Sequence, residues 1–438
     1  MNRKLLKTIR ELMIFASPIA FGQLSQMLIG MGDVFIAAHY NRDTLAAMGI
    51  ANGISAPIFL IGLGLLLGIS PTLSKKRGES LDVSQYFYTC IVYAIIIGFV
   101  FMSIAMSAVW LVPYLGFNAS LTPLIQQYLF LISFSYLGSY IFIAIKEYLQ
   151  AIEHVFFANS ISVVAVLVNL ALGYMMAFGV FVFPELGIKG LGFAAIIIRW
   201  ATGITIFIYA IKFNKTNFSV IRHFAKHVFT FSIPISLSIF TEVLAFSVVM
   251  ILIGKLGPLY AAIHSISLNL ASTTYMIPLA ISSAVSVKVA YFYGRRNFGR
   301  VKDFMKAGIL LSTSFMAVMG LIMFFMPKTL LGFFTSDQEI IMVGSSIIIV
   351  CALFQIFDGA QVTISGILRG LGITKPTFII ALAGYWVVGL PLGYYLGYVL
   401  KMNALGFWIG LAFALLIVAL SLASYLLVVL RRNKKLLT

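Results

Sequence analysis

The sequence predicts an all-α polytopic membrane protein with twelve transmembrane helices in two pseudo-symmetric six-helix bundles around a central cleft. Three observations predict this class: the composition, the recurrence of long apolar segments, and an internal repeat. Of the 438 residues, 61% are hydrophobic and 10% are charged, whereas soluble proteins carry about 25% charged residues. Apolar stretches long enough for a membrane-spanning helix, about 20 residues, recur along the whole chain. A transmembrane barrel would instead show segments of about 10 residues with alternating polarity.

Twelve apolar segments are assigned, and each can cross a bilayer as a helix. In chain order they are α1 to α12, at residues 12–38, 44–74, 83–113, 121–151, 155–183, 187–213, 228–254, 257–292, 304–327, 338–370, 374–400 and 403–430.

The 30 Lys and Arg residues are distributed unevenly between the two sides of the predicted bundles. With both termini cytoplasmic, twenty-four of them lie in cytoplasmic segments, five lie in outer loops, and Arg199 lies deep in a span. This is the positive-inside pattern, which sets orientation, so the net charge of +17 does not indicate nucleic acid binding. Cys90 and Cys351 both fall within spans and predict neither a disulfide framework nor a metal site. No Walker A sequence is present, and we expect no cofactor.

The chain repeats itself at an offset close to half its length. FASPIAFGQLSQ at 15–26 aligns with FSIPISLSIFTE at 231–242, and three shorter matches follow in the same order at offsets between 214 and 220. Six spans in each repeat give both copies the same orientation in the membrane. The predicted domains are an N-lobe with α1–α6, a basic cytoplasmic linker, and a C-lobe with α7–α12, at residues 1–213, 214–227 and 228–438. A cleft between two such lobes can open alternately to either side of the membrane.

Three of the 13 acidic residues lie deep in predicted spans: Asp33 in α1, Glu242 in α7 and Asp358 in α10. A charged group at the bilayer centre costs at least about 2.5–3.5 kcal/mol, so these side chains must face protein or water. Each lies on a helix face of polar and small residues, and α5 carries a further such face. The residues of these faces are, in α1, Gln23, Gln26, Gly30, Asp33 and Ala37; in α7, Ser238, Glu242 and Ala245; in α10, Phe354, Asp358, Gln361 and Ser365; and in α5, Ser162, Asn169 and Gly173.

The deep acids admit a structural and a functional interpretation. They could be protonated and hydrogen-bonded between helices, or paired with Arg199, but one arginine cannot neutralise three acids. Intramembrane ionisable residues usually mark ion or substrate pathways, and carboxylate and amide oxygens suit hard cations. His264 in α8 admits the same two interpretations, as a proton relay or as a structural residue with both ring nitrogens hydrogen-bonded.

Four stretches of the sequence resemble the multidrug and toxic compound extrusion (MATE) family, and most closely its bacterial NorM-type branch. They are PIAFGQLSQMLIGMGDVFIA in α1, IPISLSIFTEV in α7, AAIHSISLNLASTTYMIPLAIS in α8 and FQIFDGAQVTISGILRGLG in α10. The resemblance covers the whole chain, including its length, the twelve spans and the basic loop between the halves.

The resemblance implies drug export driven by inward sodium or proton movement, with Asp33, Glu242 and Asp358 at the family's membrane-embedded acidic positions and Asn169 at an amide position. The chain departs from the family pattern at two places. Gly173 stands where a second Asn is common, and an aromatic hydroxyl is often found four residues before the α10 acid, where this chain has Phe354. Both changes remove an oxygen that could bind a cation, which weakens the case for a well-coordinated sodium site and favours a proton.

We therefore expect a secondary active multidrug efflux antiporter, not an enzyme, that exports amphipathic, cationic compounds in exchange for inward H⁺ or Na⁺ by alternating access. The expected coupling residues are Asp33, Glu242, Asp358 and Asn169. We expect transient Na⁺ binding at Glu242 and Asp358 and no tightly bound metal. We expect Gln26, Phe354, Gln361 and His264 to line the substrate cleft.

The expected setting is a monomer in the bacterial cytoplasmic (inner) membrane, with drugs or organic cations and the lipid bilayer as partners and no nucleic acid. Two alternatives stay open. A lipid-linked precursor flippase would need Lys and Arg in its cavity for phosphate, and only Arg199 is deep. The second alternative is a membrane enzyme or a non-transporting assembly factor. An intramembrane enzyme would need a compact cluster of a nucleophile and a base, or a metal site.

Overall fold

The computed structural model describes residues 3–214 and 216–432, which form helices and connecting turns and no strand. Twelve of the helices are long and apolar enough to cross a membrane. From α1 to α12 they are Arg3–Tyr40, Arg42–Gly78, Ser84–Leu115, Thr122–Ala151, Val155–Phe178, Ile188–Ile211, Arg222–Gly254, Pro258–Gly294, Phe298–Phe325, Gln338–Gly370, Lys375–Val399 and Asn403–Arg432. The predicted class and number of spans are confirmed. The predicted cytoplasmic residues Lys215, Lys434 and Lys435 lie outside the described residues.

Several helices extend beyond the apolar segments that predicted them. The first begins at Arg3 instead of residue 12, and α9 begins at Phe298 instead of residue 304. Hydropathy marks only the part of a helix that matches the hydrocarbon, whereas these ends carry basic residues beyond it. A short additional helix, Pro327–Gly332, follows α9.

Three helices depart from regular α geometry. Short 3₁₀ segments, Ser84–Tyr86 and Val112–Leu115, begin and end α3. A turn at residues 67–68 interrupts α2. Two π-helical segments, Ala383–Gly389 and Tyr395–Val399, occur in α11. Such segments are rare and frequently lie at functional sites, and the first of them carries a residue of the candidate site described below.

The internal repeat is visible in the helix bounds. The helices α2 and α8 begin 216 residues apart and end 216 residues apart. Pro18 inside α1 and Pro234 inside α7 have the same separation. The same chain path is therefore built twice, with a proline at the same place in the first helix of each copy.

The packing divides the described residues into two units at positions that lie inside helices. Phe21–Ser236 form one unit, named the N-unit, and the described residues of Met1–Ala20 and Leu237–Thr438 form the other, named the C-unit. Both α1 and α7 are thus shared, and each is divided two residues after its proline. The lobes at 1–213 and 228–438, drawn from the repeat, stay a prediction, and the packing follows different limits.

Ion pairs hold the first half of α1 within the C-unit. Glu11 contacts Lys288 of α8 at 3.7 Å and also pairs with Arg300 of α9. Lys4 pairs with Asp303 at 3.1 Å. These contacts explain why residues 3–20 pack with the second half of the chain.

The first half of α7 is held within the N-unit in a corresponding way. The Ser236 hydroxyl donates to the Ile61 carbonyl oxygen at 2.6 Å. Before the helix, the backbone N–H of Ile221 donates to Thr89 Oγ1 at 3.0 Å. The buried side chains of Phe224 and Val228 join the N-unit core.

Replacing Gly138 by alanine is expected to destabilise the N-unit. An added Cβ would lie 2.9 Å from the carbonyl oxygen of Arg199, so α4 and α6 would have to separate. Overpacking of this kind costs about 1–3 kcal/mol, and the apparent melting temperature of the purified protein in detergent should fall by several degrees. Gly49→Ala is the matched control, since nothing lies within 4 Å of its added Cβ. Equal melting temperatures for the two variants would contradict the close packing of α4 on α6.

Candidate functional site: two buried carboxyl sites

The first site joins α1 and α5 within the N-unit. Asp33 and Asn169 are buried, with 8% and 1% of their surfaces exposed. Asn169 Nδ2 donates to Asp33 Oδ1 at 2.7 Å. The side chain of Leu170 of α5 packs directly against the backbone of α1 here, because residue 32 is glycine: a Cβ at that position would lie 2.3 Å from Leu170 Cδ2. The structure thus brings together two of the predicted coupling residues.

Arg199 acts on this site from a distance. It lies within electrostatic range of Asp33, but its guanidinium donates to Ser135 Oγ at 2.7 Å and lies 5.8 Å from the centroid of the Phe59 ring. Tyr128 of α4 also lies within electrostatic range of Asp33. The direct partner of the carboxyl group is therefore a neutral amide, while the cation of Arg199 is held by a serine hydroxyl.

The second site lies in the C-unit and gathers four helices around two carboxyl groups. Glu242 of α7 and Asp358 of α10 lie within electrostatic range of each other. The side chains of Gln361 and Tyr385 lie beside Glu242, and Tyr275 of α8 lies within range of both acids. Both predicted acids of the C-lobe therefore belong to one cluster, which we name the C-site; the Asp33–Asn169 pair is the N-site.

Two oxygens of the C-site, Asp358 Oδ1 and Gln361 Oε1, have no hydrogen-bond partner within the described part of the chain. Asp358 and Gln361 are each 5% exposed. Buried polar atoms without partners are uncommon in folded proteins and call for an explanation, and a cluster of acidic, amide and hydroxyl oxygens is suited to a proton or a hard cation.

The four predicted cleft residues occupy different surroundings. Gln361 lies in the C-site, and Gln26 of α1 is exposed. Phe354 and His264 both pack against Trp408, with ring centroids at 5.9 and 5.5 Å. Both of these side chains are buried, so neither lines an open surface in this conformation. Their contact with a substrate stays a prediction.

Sequence reasoning missed the two tyrosines of the C-site. A signal for Tyr275 existed, since it lies on the same face of α8 as His264 and Ser267 at helical spacing. No comparable signal marks Tyr385, which stands in the apolar run AGYWVVG. Its position depends on the π-helical segment of α11.

No group of three His, Cys, Asp or Glu side chains within residues 3–214 and 216–432 is placed to hold a metal ion. Cys90 and Cys351 are buried free thiols.

The sequence profile of the family described as MatE matches residues 18–175 and 234–395. The chain belongs to the MatE family. The two matched segments begin 216 residues apart, which is the offset of the internal repeat and of Pro18 and Pro234. The family resemblance read from the sequence is confirmed.

Curated relatives match the MatE chain over nearly its full length. A protein of Idiomarina loihiensis named probable multidrug resistance protein NorM is 30% identical over 436 residues, covering 95% of this chain and 94% of its own length. A protein of the same name from Photorhabdus laumondii is 28% identical over 428 residues, with 95% and 94% coverage. These matches confirm the NorM-type branch.

Solved structures share the MatE fold. A mutant of the Vibrio cholerae MATE transporter VcmN superposes with a TM-score of 0.89 at 17% identity, covering 100% of both chains. The eukaryotic MATE transporter AtDTX14 gives a TM-score of 0.87 at 20% identity, covering 97% of this chain and 96% of its own. The MatE family match, the NorM relatives and the twelve apolar helices together show an integral membrane protein, and the solved proteins that share its fold are transporters.

The hydrogen bond between Asn169 and Asp33 predicts a measurable coupling. Asn169→Leu removes the donor of a buried carboxyl group, and hydrogen bonds to charged groups contribute about 1.5–3 kcal/mol. The variant should therefore melt at a lower temperature than the wild type. In an Asp33→Asn background the same change should cost less, because the partner is no longer a carboxyl group. Additive effects across the four proteins of this double-mutant cycle would contradict a direct interaction.

Proposed function

We propose that this protein is a secondary active multidrug efflux antiporter, which exports amphipathic, cationic compounds in exchange for inward H⁺ or Na⁺ by alternating access. Membership of the MatE family and the names of the NorM relatives support the drug substrate class. The observation that carries the proposal is the placement of three carboxyl groups inside membrane-spanning helices beside neutral amide and hydroxyl groups.

The chemistry of the two sites supports exchange of a cation. A carboxylate without a counter-ion is unstable in a low-dielectric interior, so Asp33 and the Glu242–Asp358 pair favour a bound proton or metal cation. An organic cation that approaches either site competes for the same negative charge. One site can therefore serve the coupling ion and the drug in turn, with each weakening the binding of the other.

The cycle follows from this competition. In an outward-open state an external H⁺ or Na⁺ neutralises a carboxylate, weakens drug binding and releases the drug. Because the ion binds the two conformations with different affinity, it shifts their populations toward closure outside and opening inside. Each net elementary charge that moves inward through 100 mV contributes about 2.3 kcal/mol, so the membrane potential drives export only when more positive charge enters than leaves with the drug. In a one-for-one exchange for a monovalent organic cation, the concentration gradient of H⁺ or Na⁺ supplies the free energy.

The two sites differ in the number of oxygens that they offer. At the N-site the amide of Asn169 presents a nitrogen to Asp33, and residue 173 is glycine, so the site fits a proton better than a metal ion. The C-site has two carboxyl groups, an amide and two phenolic hydroxyls. Those hydroxyls restore oxygens of the kind lost with Phe354, and they keep transient Na⁺ binding at Glu242 and Asp358 within the proposal.

We further propose that the protein is a monomer in the bacterial cytoplasmic (inner) membrane with both termini inside. The excess of Lys and Arg in the predicted cytoplasmic segments supports the orientation. No cofactor is part of the proposal.

Changing the deep acids to amides is expected to stop export. In proteoliposomes, efflux of a fluorescent organic cation driven by an inward H⁺ or Na⁺ gradient should fall to background for Asp33→Asn, Glu242→Gln and Asp358→Asn. Glu339→Gln is the matched control, because Glu339 is exposed in the first turn of α10, and it should export at the wild-type rate. The gradient that drives the wild type identifies the ion. Wild-type export by the protein with all three amide substitutions would refute the proposal.

A further inference from the structure

One face of α8 carries polar side chains that the two carboxyl sites do not account for. His264, Ser267, Thr274 and Tyr275 lie on this face at helical spacing. His264 and Ser267 are completely buried in the C-unit, and Tyr275 belongs to the C-site. Eleven residues separate His264 from Tyr275, about 16 Å along the helix. The face therefore connects the C-site to a point nearer the start of α8.

His264 has no hydrogen bond at either ring nitrogen among the described residues. A neutral imidazole always has one N–H donor and one acceptor nitrogen, so a dry environment leaves both unpaired in either tautomer. The ring packs against Trp408 of α12, which in turn contacts Phe354 of α10, and no charged group of the described chain acts on the ring. No atom of the described chain therefore satisfies either ring nitrogen of His264.

Trp408, the neighbour of His264, is unpaired as well. Its indole N–H lies completely buried without a partner in the described chain. The indoles of Trp386 and Trp200 differ, since they donate to the carbonyl oxygens of Thr241 at 3.1 Å and Phe134 at 3.3 Å. A buried donor and a buried histidine thus meet at one place, and protein atoms satisfy neither.

The line of unpaired atoms continues toward the C-site. Ser267 Oγ and Gln355 Oε1 have no partner within the described residues. The Gln355 amide donates to Thr274 Oγ1 at 2.8 Å, which places it next to Tyr275 along α8. Asp358, whose Oδ1 is also unpaired, follows Gln355 by one turn of α10.

These atoms together indicate a small ligand that both donates and accepts hydrogen bonds. Each buried polar group left unpaired costs about 1–3 kcal/mol, and apolar packing around it does not recover that free energy. A metal cation would be repelled by the Trp408 N–H, and an anion would be repelled by the acid pair. Water fits both kinds of group, and a buried water typically makes about three hydrogen bonds to such atoms.

We propose that His264, Trp408, Ser267 and Gln355 hold a file of internal water molecules, and that this file carries protons from the outer end of α8 to the Glu242–Asp358 pair. The proton enters from external water, passes along the hydrogen-bonded file and ends on a carboxylate oxygen. The outer location of this end follows from the proposed orientation, and the use of the proton rests on the proposed antiport.

The water file is tested through the indole of Trp408, independently of transport. Protein labelled with ¹⁵N-tryptophan in nanodiscs is analysed by NMR for hydrogen exchange between each indole N–H and water, and the four Trp signals are assigned by Trp→Phe variants. Trp408 is expected to exchange rapidly despite its burial, while Trp386, bonded to a carbonyl oxygen, exchanges slowly. Ser267→Ala should slow the Trp408 exchange. Ser286→Ala should not, since Ser286 is buried and unpaired on α8 but lies beyond Tyr275, outside the line.

The proton path is tested through the rate of H⁺-driven efflux of a fluorescent cation. His264→Phe and Ser267→Ala should each lower this rate at least about fivefold, or about 1 kcal/mol in the barrier, and Ser267→Ala should do so without changing the dissociation constant of the dye. Ser286→Ala should stay within about twofold, a barrier change of under about 0.5 kcal/mol. Ser267→Ala provides the test if His264→Phe does not fold.

Each outcome has a defined meaning. Exchange at Trp408 as slow as at Trp386 overturns the water file. Rapid exchange together with wild-type efflux in Ser267→Ala and His264→Phe overturns the proton path. If the Glu242→Gln and Asp358→Asn variants export normally, the antiport proposal and the proton path that rests on it both fail, while the NMR result still decides the water file.

Discussion

Hydrocarbon offers no hydrogen-bonding partner, and this constraint governs where the chain places its three deep carboxyl groups. Asp33 meets it with a neutral donor, the amide of Asn169, at 2.7 Å. Glu242 and Asp358 satisfy this constraint only in part, because Asp358 Oδ1 and Gln361 Oε1 lack partners within the described chain. In the proposed mechanism a proton or a cation completes both arrangements. The proposed capacity to bind an ion follows from burying acids beside neutral groups.

Two of the three deep acids lie on α1 and α7, the helices that are divided between the two units. Asp33 lies in the second half of α1 and Glu242 in the second half of α7, and in each case the first half packs within the other unit. Any change of conformation within α1 or α7 therefore acts on a helix that carries one of the three deep acids.

The two copies of the repeat carry their deep acids at different positions. At the offset of 216 residues, Asp33 corresponds to the buried Val249 and Glu242 to the exposed Gln26, so the duplicated path carries its charges at non-equivalent positions.

Local sequence patterns predict the fold class, because the length of each apolar segment and the internal repeat can be recognised directly in the sequence. They indicated the twelve spans, the repeat and the three acids, and the spacing of the α5 face singled out Asn169. The division inside α1 and α7 depends on tertiary contacts such as Glu11 with Arg300, which no apolar pattern records. Tyr385 reaches Glu242 from a π-helical segment, and the unpaired nitrogens of His264 depend on which side chains surround it. Such features arise from packing between distant segments.

Release of the coupling ion on drug binding tests the account most directly. Purified protein in weakly buffered detergent solution is mixed with an organic cation, while a pH indicator follows H⁺ and radioactive sodium follows Na⁺. The account predicts that drug binding to the wild type displaces H⁺ or Na⁺, and that the protein carrying Asp33→Asn, Glu242→Gln and Asp358→Asn releases neither. Drug binding to the wild type without release of either ion, or equal release by the substituted protein, would contradict it.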